Sequence, residues 1–199
     1  MKIYDISQEL FGCVVWPGDP SPARRTLSSM EDGALYNLSE FSMCAHNGTH
    51  IDAPLHFIQN GKSVDEMPLS KTVGLAFVAA HDGILSASDA HAILRRAREA
   101  EPDSAKRILI KGKATVSLEA AKVFAEAKLE LVGNESQTVG PEDGPRETHL
   151  VLLGAEVALL EGVRLGDVAE GVYLLSAAPI SLGGCEGSPC RAILIDFKI

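Results

Sequence analysis

The chain has 199 residues, of which 46% are hydrophobic and 23% charged, and carries a formal net charge of −9 at pH 7. That length can bury a core without disulfides or a structural metal. An acidic balance with no basic stripe excludes a nucleic-acid-binding surface. The one basic cluster, Arg95, Arg96 and Arg98, lies among acids and reads as a solvated helix face.

Taken in order, residues 2–7 alternate enough to predict a first strand. Residues 11–16 are apolar and β-branched, which predicts a short second one. The run Pro17-Gly18-Asp19-Pro20-Ser21-Pro22 is a loop. Trp16, the one tryptophan, stands at its edge, either as core or as the aromatic wall of a pocket. Residues 36–46 are expected to be a strand leading into a histidine-rich segment, and residues 58–71 are irregular. Residues 73–79 read as a buried strand with His81 and Asp82 at its end. Ser86 or Ser88 caps a helix running to about residue 100, with Ala90, Ile93, Leu94 and Ala97 at helical spacing and His91 exposed. A strand over 107–111 follows, then a helix over 118–127 capped by Ser117, then a strand over 129–133. Residues 134–146 form a loop long enough to be functional. Residues 147–153 make a short helix that carries His149 and stops at Gly154. Strands are expected over 155–160, 172–175 and 191–197, with Glu161 and Gly162 ending the first of these. The alternation of strand and helix predicts an α/β fold. The expected architecture is one domain over residues 1–199, with a mixed, barrel-like curved sheet and helices outside.

No stretch reaches the ~18 apolar residues that span a bilayer. Residues 1–6 lack the apolar run of a signal peptide. A cytoplasmic protein without membrane or nucleic-acid partners is expected, with Cys13, Cys44, Cys185 and Cys190 reduced. Cys185 and Cys190 fit no standard zinc spacing. Cys44 shares the parity of the residues that follow and is either a small buried thiol or part of the site.

The chemistry concentrates in His46-Asn47-Gly48-Thr49-His50-Ile51-Asp52-Ala53-Pro54-Leu55-His56. Three of the chain's six histidines fall here, with a carboxylate among them, and imidazole and carboxylate are ligands for Zn²⁺ and Mn²⁺. Gly48, Thr49 and Pro54 disfavour a helix. On an extended chain, side chains alternate between two faces. His46, Gly48, His50, Asp52 and His56 would then share one face, and Phe41, Met43, Ala45, Ile51, Ala53 and Leu55 the other. Gly48 would leave room for an ion between His46 and His50. The segment does not complete two coordination spheres, and periodicity does not choose among His81, His91 and His149 for the remainder.

The same eleven residues match the signature His-x-Gly-Thr-His-x-Asp-x-Pro-x-His at every fixed position. In this the chain resembles the Cyclase family of metal-dependent hydrolases, which includes bacterial kynurenine formamidases and isatin hydrolases. The resemblance implies a swivelling β/β/α architecture and a homodimer or homotetramer. It implies a divalent metal, zinc or manganese, with two ions per subunit. His46, His50 and Asp52 would hold the first ion and Asp52, His149 and Glu161 the second, with the carboxylates bridging. His149 and Glu161 have the family's twelve-residue spacing. His56 would move the proton, and Trp16, before Pro-Gly-Asp, would touch the substrate. The implied activity is hydrolysis of a C–N amide bond, best matched by N-formylkynurenine giving kynurenine and formate. A cyclic or aryl amide such as isatin is the alternative. A different class, a non-catalytic metal- or ligand-binding protein, would be favoured by loss of His56 or Glu161, and both are present. Where the family reads Gly-Ile-Asp-Thr-Pro-Ser, this chain has Gly133-Asn134-Glu135-Ser136-Gln137-Thr138, a departure that bears on the substrate.

Overall fold

The structure is a computed structural model and describes residues 1–197. The strands are β1 (Lys2–Asp5), β2 (Ala23–Ser28), β3 (Leu38–Ser42), β4 (His50–Asp52), β5 (Val73–Ala80) and β6 (Gly83–Leu85), continuing with β7 (Arg107–Lys111), β8 (Ala114–Val116), β9 (Leu131–Asn134), β10 (Ala158–Glu161), β11 (Gly171–Ser176), β12 (Gly187–Pro189) and β13 (Ile193–Asp196). Among the described residues three α-helices, α1 (Ala87–Ala100), α2 (Leu118–Glu126) and α3 (Arg146–Gly154), complete the frame. Nine strands form one strongly curled half-barrel in the order β1-β13-β11-β5-β7-β9-β10-β4-β12. β5, β7, β9 and β10 run parallel to their neighbours in that stretch, and the remaining pairings are antiparallel. The mixed curved sheet with outer helices is the architecture expected from the sequence.

The period-2 alternation of the central strands explains the two cores. Phe77, Ala79, Ile108, Ile110, Val132 and Leu159 face α1, α2 and α3. Their neighbours Ala76, Val78, Leu109, Leu131, Ala158 and Leu160 face the inside of the curl, where Ile6, Ile51, Leu165, Leu175 and Leu194 fill it. Strands buried on both faces read as continuous apolar runs for this reason. Ser86 caps α1 by accepting from Asp89 N, while the Asp89 carboxylate accepts from Ser86 N. Ser117 accepts from Ala120 N at the start of α2. Each such cap stabilises its helix by about 1 kcal/mol.

Several expectations need correction. Residues 11–16 form no strand; they run as turn and coil around the loop that follows. The strand expected over 36–46 is β3, which ends at Ser42 and pairs only with β2 in a separate two-stranded hairpin. That hairpin is exposed along nearly its whole length, and it does not deliver the histidine segment. β2, which is exposed nearly throughout, was not expected, nor were β6, β8 and β12, because three-residue strands carry too little pattern to register. β12 matters most: it pairs with β4 on the side opposite β10, so the shortest part of the motif is clamped between two strands.

Candidate metal centre

The ligand segment does not run as one extended strand. Only His50–Asp52 is β4; His46 comes from a turn over 45–49, and His56 from a single turn of 3-10 helix at Pro54–His56. Gly48 is not spacing for an ion. It adopts φ +69°, and a Cβ there would lie 3.3 Å from Cys13 Cβ. The shared parity of His50 and Asp52 does hold, and both point to the helix side of the sheet. The register sets His50 directly across from Glu161 on β10, so their side chains project to the same side. α3 packs over that face and lowers His149 onto it. Its spacing from Glu161 is therefore a helix-then-strand connection whose two ends meet.

Five side chains converge. His50, Asp52, His149 and Glu161 are each no more than 3% exposed, and His46 is partly buried. His50 Nε2 lies 3.3 Å from Asp52 Oδ1 and 3.4 Å from Glu161 Oε2. His149 Nε2 lies 3.3 Å from Glu161 Oε1 and 3.7 Å from Asp52 Oδ2. His46 Nδ1 lies 2.8 Å from Asp52 Oδ1. Two ligand atoms about 2.1 Å from one tetrahedral ion sit about 3.4 Å apart. The first four separations match that edge length and are long for hydrogen bonds. Asp52 Oδ2 is buried with no hydrogen-bond partner, which is costly unless a cation satisfies it.

The outer ring nitrogens fix the tautomers. His50 Nδ1–H donates to Gly48 O at 3.0 Å and His149 Nδ1–H to Pro145 O at 2.8 Å, leaving each Nε2 lone pair aimed at the carboxylates. Such outer partners orient metal ligands. His46 Nε2 lies 3.3 Å from Glu186 Oε1. Val139 N–H donates to Glu161 Oε1 at 2.8 Å and holds that carboxylate in place. The potential ligand atoms of His46, His50 and Asp52, and those of Asp52, His149 and Glu161, each form a group within 4.8 Å. The residues fit one or two divalent ions.

The electrostatics agree. Burial pushes the His50 ring down, but Asp52 and Glu161 outweigh it and raise its pKa to about 10. Burial likewise opposes the charge on Asp52, yet His46 and His50 hold its carboxyl well below the usual range. Without metal, a proton does what a cation would do. His56 differs. Burial lowers its pKa, so the ring is neutral near pH 7. Its Nε2 is 4.0 Å from Asp52 Oδ2, and it stacks on His46 with centroids 4.1 Å apart.

These groups open on a cavity of about 400 Å³ lined also by Trp16, Phe57, Pro145, Gln137, Thr138 and Cys44. Trp16 therefore stands at the pocket wall, and Cys44 borders the site. Gln137 and Thr138 belong to the segment that departs from the family's pattern, which places that departure at the wall of this cavity. His81 lies outside the cavity, and His91 is exposed on α1. The four cysteines are free. Sequence reasoning missed Asp19, Phe57 and Glu186 as lining residues. Asp19 had a signal in the Trp-Pro-Gly-Asp run, whereas Glu186, in a Gly/Ser/Pro loop, had none.

The Cyclase family model matches residues 4–141. A kynurenine formamidase of Salinibacter ruber is 32% identical, covering 98% of both chains. A solved structure described as a potential metal-dependent hydrolase with cyclase activity superposes with TM-score 0.82 at 29% identity, over 100% of this chain and 99% of the other. Isatin hydrolase A from Labrenzia aggregata, bound to benzyl benzoate, shares the fold with TM-score 0.79 at 22% identity, over 97% and 93%.

Proposed function

The chain belongs to the Cyclase family of metal-dependent hydrolases, and from that premise we propose that it hydrolyses the C–N bond of an aryl formamide, with N-formylkynurenine as substrate and kynurenine and formate as products. The observation that carries this is the buried cluster of His50, Asp52, His149 and Glu161 beside a neutral His56, opening on an aromatic-walled cavity. The full-length likeness to kynurenine formamidases supports the formamide in particular. His46, His50 and Asp52 would hold one ion; Asp52, His149 and Glu161 would hold a second. The N/O donor set suits zinc or manganese. No helix among the described residues is long and apolar enough to cross a membrane, and a cytoplasmic homodimer or homotetramer is part of the same proposal.

A divalent ion held by these residues would acidify a water and offset the negative charge that develops on the carbonyl oxygen. The chain does the rest. Trp16 and Phe57 hold the aryl ring and exclude water from the scissile bond. His56, neutral at its lowered pKa, accepts at a ring nitrogen the proton that the attacking water loses as its oxygen bonds to the formyl carbon, and delivers it to the amine nitrogen as the C–N bond breaks. Stacking on His46 and edge contact with Phe57, at a centroid distance of 4.6 Å, set the angle of the ring. The fold of isatin hydrolase keeps a cyclic aryl amide as second reading, because the same groups would open a lactam. The test is turnover by metal-reconstituted protein. Formate released from N-formylkynurenine, with isatin the poorer substrate, is expected. Turnover of isatin alone would move the assignment to the second reading.

A further inference from the structure

Among the described residues lining the cavity there is no lysine or arginine, but Asp19 and Glu186 stand on its wall besides the buried Glu161. The backbone hydrogen bond from Asp19 N to Trp16 O closes a turn whose two ends both line the cavity. Its Oδ2 receives only a weak contact from the Cys44 thiol at 3.7 Å. Glu186 is 42% exposed at the side chain and meets one imidazole edge, through Oε1. Among the described residues neither carboxylate has a lysine or arginine partner. A second groove shares Trp16 and Gln137 with the cavity and is bordered by Glu142 and by Glu135, whose carboxylate accepts from Gly112 N–H and Leu165 N–H. The cavity beside the ligand cluster is therefore aromatic and acidic, with no lysine or arginine among the described residues that line it.

We propose that Asp19 and Glu186 select substrate charge: the chain takes aromatic amides whose side chain ends in an ammonium group and has nothing to pair with a carboxylate there. This rests on the aryl-amide reading above. An ammonium placed beside Trp16 gains the attraction of two carboxylates and of the indole face. A carboxylate in the same place meets like charges and loses water without a partner, which is how a site rejects a competitor. For N-formylkynurenine, whose side chain carries both groups, the ammonium is the one recognised. Its decarboxylated amine is then the better substrate.

The experiment compares three formanilides with ortho side chains of equal length ending in ammonium, hydroxyl or carboxylate, using metal-loaded protein. The ammonium compound should exceed the hydroxyl compound in kcat/KM by about tenfold, one charge-assisted contact, with the carboxylate compound lowest. In a D19N/E186Q double variant the ratios should fall toward one. Taking the ratio within each protein removes any general loss of activity. A second arm titrates Trp16 fluorescence with a quaternary phenylalkylammonium ion and with its neutral tert-alkyl isostere, neither of which can coordinate a metal. The cation should bind about tenfold tighter to the unsubstituted protein, and equally to the isostere in the variant. Equal kcat/KM for the three formanilides, a preference for the carboxylate, or equal binding of cation and isostere would overturn charge selection. No hydrolysis of any formanilide with the cation preference intact would overturn the amide reading and leave charge selection standing.

Discussion

Gly187→Ala is a one-carbon change that should disable the metal centre while leaving the fold intact. Gly187 lies on β12 opposite Asp52, beneath the His46 ring. A Cβ there would sit 2.6 Å from His46 Cε1, 3.1 Å from His46 Nε2 and 3.0 Å from Ile51 O. Ordinary contact begins near 3.4 Å, so the ring must move by at least the difference of 3.4 and 2.6, or 0.8 Å. It has nowhere to retreat, because Nδ1 is 2.8 Å from Asp52 and the face is stacked on His56. A ligand position is useful only within about 0.5 Å, and displacements near 1 Å cost about 10²-fold in rate. The variant should therefore lose about one metal ion per chain in elemental analysis and about 10²-fold in kcat/KM. Gly187 does not occupy the left-handed region, so alanine is compatible with its backbone. The Tm should shift by no more than about 4 °C, roughly 1 kcal/mol at this chain length. Gly166→Ala, where an added Cβ meets nothing within 4 Å, is the control and should be silent. A Gly187→Ala protein with full metal and full kcat/KM would refute this geometry and His46 as a ligand with it.

His56→Ala should retain metal and lose roughly 10²–10⁴ in kcat, the usual worth of a positioned acid–base group, whereas His50→Ala should lose metal as well. Loss of metal in both would make His56 a ligand. EDTA should abolish amide hydrolysis, and zinc or manganese added back should restore it; activity that survives dialysis against chelator would contradict a metal-dependent step. Burial pushes the Cys190 thiol up to about 12, so it stays protonated and unreactive as pH rises from 7 to 9. Iodoacetamide at pH 8.5 should label Cys44 at the pocket and reach Cys190 only after denaturation, as mass spectrometry would show; rapid Cys190 labelling in the native protein contradicts this.

The central strands, the two capped helices and α3 were legible because their patterns are local. Buried runs at 73–79 and 107–111 gave β5 and β7, and Ser86 and Ser117 marked helix starts. The convergence of His149 and Glu161 on the motif was not local. It depends on β4 pairing with β10 and on α3 crossing that face, and only the family spacing pointed to it. The extended reading of residues 46–56 failed because Gly48 turns the chain at positive φ and Pro54 starts a 3-10 turn. Parity held only for the two ligands within β4. β2 was missed because its residues lack a buried face, and Glu186 was missed because only β12 pairing beside β4 brings it to His46.

The proposed chemistry depends on two ligand triads that share Asp52 and hold divalent ions. The most direct measurement is a crystal structure of zinc- or manganese-loaded protein, with anomalous differences recorded at the metal edge. Two peaks are predicted, one about 2.0–2.3 Å from ligand atoms of His46, His50 and Asp52 and the other at the same distance from Asp52, His149 and Glu161. His56 should remain outside both coordination spheres. Peaks elsewhere, or a loaded cluster in which His149 and Glu161 contact no ion, would contradict it.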